Sequence, residues 1–218
     1  LIKLKHCDIL NKKRGASKTV REFNSVQEKI LDRALFLIGE KGSYDVPIRD
    51  ITREAGVNVN AINYYFGNKD NMLDQMEEFF IRNYLSVYSV LDENIDDEKK
   101  LILWANEVME YTLQYPGIQV VLRDCLKSER DGKMRRFLEE KSDFYDQKVN
   151  RLLKLILDVD DAHLYLIRVL FNSAVLYPAS FGTDFNFDLS KISDRDFRLR
   201  YLTFMIDMIK KGTIGYEV

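Results

Sequence analysis

The chain has 218 residues, of which 46% are hydrophobic and 31% charged, enough to bury a substantial core in one or two domains. Its formal net charge of −2 excludes a uniformly basic nucleic-acid coat, and its two cysteines, Cys7 and Cys125, sit in no C-x-x-C or Cys/His spacing that would suggest a zinc site or a disulfide framework. No apolar run approaches the ~20 residues of a membrane span, and LIKLKHCDIL is too interrupted by charge for a signal peptide, so the expected location is the cytoplasm. Residues 1–70 hold 13 Lys+Arg against 9 Asp+Glu, while the remainder holds 20 against 26. A positive front on an acidic body suits a protein that meets phosphates at one end, although so modest an asymmetry also suits an ordinary soluble protein. His6 and His163 have no ligand companions, no Gly-rich phosphate loop appears, and neither a catalytic residue, a metal nor a cofactor is expected.

Residues 1–24 form a basic arm that reads either as a solvated tail or as an extension adding phosphate or minor-groove contacts. Ser25 and Glu28 make an S-x-x-E capping box that opens a helix, with Ile30, Ala34, Leu37 and Ile38 as its buried stripe and Lys41-Gly42-Ser43 as its stop. Tyr44, Phe36, Ile51 and Phe66 are expected to share a small three-helix core. Pro47 suits a first helical position. Ile48, Ile51 and Ala55 then recur on one helical face, and Gly56 stands where the chain needs a left-handed turn. Asn58 caps a second short helix carrying Val59 to Phe66. Two short helices around a glycine turn read as a helix-turn-helix.

In that second helix Ile62 and Phe66 face inward, leaving Val59, Asn60, Asn63 and Tyr64 outward. Asn matches the donor–acceptor pair on an adenine edge, and a small apolar side chain packs on a thymine methyl. Tyr64, Tyr65 and Lys69 stand at the far end, where hydroxyls and an ammonium can hold phosphates. An αα-hairpin within a helical bundle accounts for the same pattern. The run IRDITREAGVNVNAINYYFGNKDNML, with Ile30, Ala34, Leu37, Ile38 and Gly42 upstream, resembles the DNA-binding signature of the tetracycline-repressor (TetR) family of bacterial transcriptional regulators. The resemblance covers about Val26 to Met72. It implies that Tyr65 and Lys69 bind backbone phosphates, and that Val59, Asn60 and Asn63, joined by Arg49, read bases. Val46, Ile48 and Thr52 depart from the family's usual residues.

Beyond Gly67-Asn68 a helix is expected from Lys69 to Leu91 as a rod joining the DNA-binding end to the rest, then one from Glu98 to Tyr115 ended by Pro116-Gly117. Ile118 to Lys127 makes a shorter helix, 128–132 a charged turn, and Lys133 to Leu157 a long amphipathic helix with Phe137, Phe144, Tyr145, Val149, Leu152, Leu153 and Ile156 inward. Asp160 to Tyr177 is apolar around most of its circumference and is closed by Pro178. A Phe- and Asp-bearing loop follows to Ser193, and Asp194 caps a last helix through Lys210. These two helices either bury themselves within one chain or pair with their copies, through Leu170, Ala174, Phe204 and Met205, in a four-helix dimer interface. A lone recognition helix reads few base pairs, which favours the homodimer.

The expected fold is all-α: a basic arm (1–24), a three-helix DNA-binding domain (25–68) and a helical ligand-binding and dimerisation domain (69–218). The resemblance implies a ligand cavity in that body, for which Tyr84, Trp104, Tyr111, Tyr115, Phe171 and Asn172 are candidate lining residues around a small apolar or aromatic effector. Aromatics at helical spacing are equally what a plain core requires. The leading expectation is a non-enzymatic homodimeric repressor that binds a palindromic operator and is released by ligand. The alternative is a helical DNA-binding architectural protein without an effector.

Overall fold

The computed structural model describes residues 25–115, 117–127, 133–181 and 189–213. The expected basic arm (1–24), the charged turn at 128–132 and most of the loop before Ser193 lie outside the described residues. Among those described there are ten α-helices, one 3-10 segment and no strand.

Helix α1 (Val26–Lys41) starts as its capping box requires, the Glu28 N–H donating to Ser25 Oγ at 3.1 Å, and ends on Gly42 in the left-handed region. Helix α2 (Ile48–Ala55) begins one residue later than expected: Pro47 is the extended cap, with ψ of 138°, and not the first helical residue. Phe36 is only half-buried, its ring covered by the Arg33 guanidinium at 5.1 Å, so it stands outside the head's core. Thr52 is buried on the inner face of α2 because its hydroxyl donates back to the Ile48 carbonyl at 3.0 Å. Helix α3 (Asn60–Phe66) and helix α4 (Lys69–Ser86) follow, the latter capped by the Asn68 side chain, which accepts from the Asn71 N–H at 2.8 Å. The rod expected to reach Leu91 tightens after Ser86 into a 3-10 segment, Val87–Asp92.

The body comprises α5 (Asp97–Gln114), α6 (Gly117–Lys127), α7 (Lys133–Leu157), α8 (Asp161–Phe181), α9 (Leu189–Ser193) and α10 (Arg195–Thr213). Helix α5 packs between α8, α7 and α10, and α1 packs on α2, α4 and α6. Head and body share one continuous buried core, from Ile30 and Leu35 through Phe80 and Met109 to Phe171 and Leu202. Gly117 makes one of the joints: a Cβ there would collide with the backbone of Leu35 and Gly39 on α1, so only glycine lets α6 approach so closely.

Three body expectations are corrected. Pro178 lies inside α8, which runs on to Phe181, because another residue satisfies the carbonyl that proline leaves unpaired. The stretch before Asp194 holds the short helix α9. Phe144 is 59% exposed and lies off the buried stripe of α7. Arg198 is fully buried where α5, α9 and α10 meet. It donates to Asn106 Oδ1 at 3.1 Å and to the Ile192 and Ser193 carbonyls at 2.9 and 3.0 Å, and it ion-pairs with Glu110. Burial pulls its guanidinium below the usual range and the Glu110 carboxylate opposes that shift.

Candidate nucleic-acid interface

The local chemistry of the turn fixes how α3 is presented. Gly56 adopts φ of 65°, and the next N–H, from Val57, donates to the Thr52 carbonyl at 2.9 Å, closing α2. Asn58 Oδ1 then accepts from the Asn60 N–H at 2.9 Å and its carbonyl accepts from Ala61, which holds the entry to α3, although the helix starts at Asn60, one residue later than expected, with Val59 in the cap position. Ile62 and Phe66 are buried against the head, which leaves Val59, Asn60, Asn63 and Tyr64 exposed on the opposite side. Tyr64 is 81% exposed, an unusual position for a large ring without a partner surface. Arg49 is exposed on α2.

Tyr65 is half-buried, wedged edge-on against the Tyr64 ring with centroids 4.8 Å apart and against Phe66. Lys69 opens α4, so its ammonium stands at the positive end of a helix dipole, and it lies 3.4 Å from Asp45 Oδ1. The sequence reading missed a second charged group. Asp50 receives Lys41 Nζ at 2.6 Å and the Arg53 guanidinium at 2.8 Å, tying α1 to α2. The hydrogen bond from Lys41 holds the Asp50 carboxyl below the usual carboxylate range. The i,i+3 spacing of Asp50 and Arg53 was the available signal.

Residues 30–76 match the model of a family described as bacterial regulatory proteins, tetR family. The chain carries a TetR-family DNA-binding domain. It is 27% identical over 90 residues to a probable HTH-type transcriptional regulator, YttP of Bacillus subtilis (strain 168), a match covering 40% of this chain and 44% of that protein. It is 38% identical over 47 residues to the HTH-type transcriptional regulator BetI of Brucella anthropi, covering 22% of this chain and 24% of that one. The chain thus spans less than half the length of either curated relative. Two crystal structures are similar in fold over most of the chain: a TetR-like regulator from a Rhodococcus species (TM-score 0.60, 11% identity, 90% of this chain and 100% of that one) and the TetR-family regulator PfmR from Thermus thermophilus (TM-score 0.58, 16% identity, 86% and 97%). At such identity they speak to the fold alone.

In the body behind the TetR-family head, the aromatic ligand candidates are linked ring to ring, Tyr111 lying 6.0 Å from Tyr84 and 4.8 Å from Tyr115, but their polar partners differ. Tyr84, Trp104 and Phe171 belong to one run of rings: Tyr84 meets Tyr88 at 5.7 Å, Tyr88 meets Trp104 at 5.6 Å, and Trp104 stacks on Phe171 at 6.1 Å. Tyr111 borders the run but donates its hydroxyl to the Phe80 carbonyl at 3.3 Å. Tyr115 belongs to the joint with the head, its hydroxyl donating to the buried Asp32 Oδ1 at 2.7 Å. Asn172 is half-buried on α8.

The dimer candidates divide as well. Leu170 and Phe204 are 61% and 64% exposed, Ala174 is half-buried, and Met205 points into the chain's own core. Helical phase is the reason: Leu202, Met205 and Ile206 share the inner face of α10, which turns Phe204 and Met208 outward. Helix α8 likewise buries only Ile167, Phe171 and Val175 along this stretch, and exposes Tyr165, Leu166, Val169 and Leu170. The sequence reading also missed Glu77, buried on α4, which accepts from the Tyr44 hydroxyl at 3.0 Å and from the Met134 N–H of α7 at 3.1 Å. Its helical phase beside Leu73, Met76 and Phe80 was the signal.

Proposed function

We propose that the protein is a homodimeric, non-enzymatic transcriptional repressor of the cytoplasm that occupies a palindromic operator through its helix-turn-helix and is released by a small apolar or aromatic ligand. The observation that carries the reading is the presentation of α3: Ile62 and Phe66 anchor it, and Val59, Asn60, Asn63 and Tyr64 are left facing solvent, with carboxamides of the type that matches an adenine edge. Arg49 joins them in base reading, and Tyr65 and Lys69 hold phosphates. The names of the two curated relatives, both transcriptional regulators, support the same assignment. The exposed apolar residues of α8 and α10, Leu166, Val169, Leu170, Phe204 and Met208, support dimerisation, since a soluble monomer rarely keeps such a face open. The domain plan of arm (1–24), head (25–68) and ligand-binding, dimerising body (69–218) belongs to the same proposal. Ligand would act by favouring a head spacing that no longer spans two successive major grooves.

Footprinting of purified protein on DNA upstream of its own gene tests this. One protected palindrome, with half-sites about one helical turn or a multiple of it apart, is the expected result. Weak protection scattered over many unrelated fragments would return the architectural reading instead.

A further inference from the structure

The stretch that presents α3 carries no charge: residues 58–66, NVNAINYYF, hold neither Arg, Lys, Asp nor Glu. Its polar groups are few. Asn58 commits Oδ1 to the Asn60 N–H at 2.9 Å. The carboxamides of Asn60 and Asn63, both exposed, have no hydrogen-bond partner among the described residues. Val59 is exposed in the cap position, and the exposed Tyr64 ring is braced edge-on by Tyr65.

The charges beside it on α2 are mostly engaged. Asp50 holds Lys41 at 2.6 Å and Arg53 at 2.8 Å, and Glu54 lies 3.9 Å from Arg33. Arg49 is exposed and has no ion pair among the described residues. In the major groove a guanine is read best by a cation on O6 and N7, and a cytosine by a carboxylate on its N4 donor. An adenine is read by a carboxamide on N6 and N7, and a thymine by apolar contact with its methyl group. Helix α3 thus offers a matching group for both members of an A·T pair and for neither member of a G·C pair. Against G·C an asparagine loses the bidentate fit.

We infer that each operator half-site carries an unbroken block of A·T pairs beneath α3, bordered by a G·C pair that Arg49 reads. Seven residues rising 1.5 Å each cover about three base pairs at 3.4 Å, which sets the length of the block. Asn60 and Asn63 take adenines in it, and Val59 and the Tyr64 ring meet thymine methyl groups. The inference rests on the operator-binding reading above and names the class of DNA that this head selects.

Selection of sites from random duplex DNA by the full chain, followed by titrations on the selected site with altered bases, tests this. The selected palindrome should hold the block in both halves, and a G·C pair placed inside it should weaken binding about tenfold, the size of one bidentate contact. Replacing adenine by 7-deazaadenine, which lacks the N7 acceptor, should weaken binding by a similar factor at two positions. Replacing thymine by uracil should weaken it about fourfold, the size of one buried methyl group. Asn60→Ala and Asn63→Ala should each erase the 7-deazaadenine effect at one position, Val59→Ser the uracil effect at one, and Arg49→Ala should relax preference only at the border. A palindrome with G·C pairs in place of the block overturns the inference and leaves operator-specific regulation standing. An A·T preference that survives both base replacements comes from the minor groove or from duplex shape, and overturns it equally. A selection that enriches no sequence removes the operator proposal itself, and the inference with it.

Discussion

Tyr201 on α10 donates its hydroxyl to the Ala174 carbonyl on α8 at 2.8 Å, and Ala174 is the residue four before Pro178. In a regular helix that carbonyl would accept the N–H of residue 178, which proline lacks. The tertiary hydrogen bond replaces the missing helical one and explains how α8 runs through its proline. Removing the hydroxyl leaves a carbonyl without its donor, at a cost of about 1–3 kcal/mol. We expect Tyr201→Phe to lower stability by that order in urea unfolding, and to cost clearly less in a Pro178→Ala background, where the backbone N–H returns. Identical costs in the two backgrounds would show that the hydroxyl is not standing in for the helix.

Tyr115 and Asp32 form the corresponding bond between body and head. Asp32 is wholly buried and also pairs with Arg33. A hydrogen bond to a charged group is worth about 1.5–3 kcal/mol. Tyr115→Phe should therefore destabilise the protein by that order, and hydrogen exchange should rise first in α1 around Asp32. Protection lost only in α8 and α10 would place the joint elsewhere.

The head was largely legible because each of its elements announces itself locally. Ser25 with Glu28, Gly42, Gly56, Asn58 and Asn68 are caps, turns or stops whose function depends on neighbours within three or four residues. The outward face of α3 followed from period alone, since Ile62 and Phe66 fix which way Asn60 and Asn63 point. What escaped depends on distant partners. Pro178 reads as a helix end until Tyr201 is brought beside Ala174. Met205 reads as an interface residue until the phase of α10 is set by Leu202 and Ile206. Glu77 and Arg198 went unmarked because partners far away in sequence, Met134 and Asn106, help to hold them inside the protein.

Lys69 sits 3.4 Å from Asp45, whose side chain is almost fully exposed. A phosphate approaching Lys69 competes with that carboxylate. Lys69→Ala should weaken binding to every DNA sequence alike and reduce the salt slope by roughly one unit, while Asp45→Asn should tighten binding to every sequence. Gel-shift titrations over a range of salt on operator and unrelated DNA check both. An effect confined to one base position would reassign Lys69 to base reading.

Leu170 and Phe204 offer a clean test of the dimer because neither supports the protomer core. Leu170→Glu or Phe204→Glu should give folded monomers in sedimentation at micromolar concentration with an unchanged helical spectrum. Met205→Glu should instead unfold or aggregate the chain, as it places a charge inside. Wild-type protein that sediments as a monomer under the same conditions removes the dimer proposal.

The finest reading concerns Asn60 and Asn63. They lie three residues apart on α3, so they share its outer face, and both are exposed. The Asn58 hydrogen bond and the buried pair Ile62 and Phe66 hold that face outward, leaving little freedom in how the carboxamides meet a groove. An Asn carboxamide matches the acceptor and donor of adenine in the major groove, and losing one bidentate contact costs about 1–3 kcal/mol of discrimination. Asn60→Ala and Asn63→Ala should each relax preference at one base pair per half-site, symmetrically in both halves, with nonspecific affinity nearly unchanged. Binding-site selection on wild type and both variants measures this. Should all three return the same base preferences at every position, neither asparagine reads a base, and the exposed Arg49 and Tyr64 become the readers to mutate next.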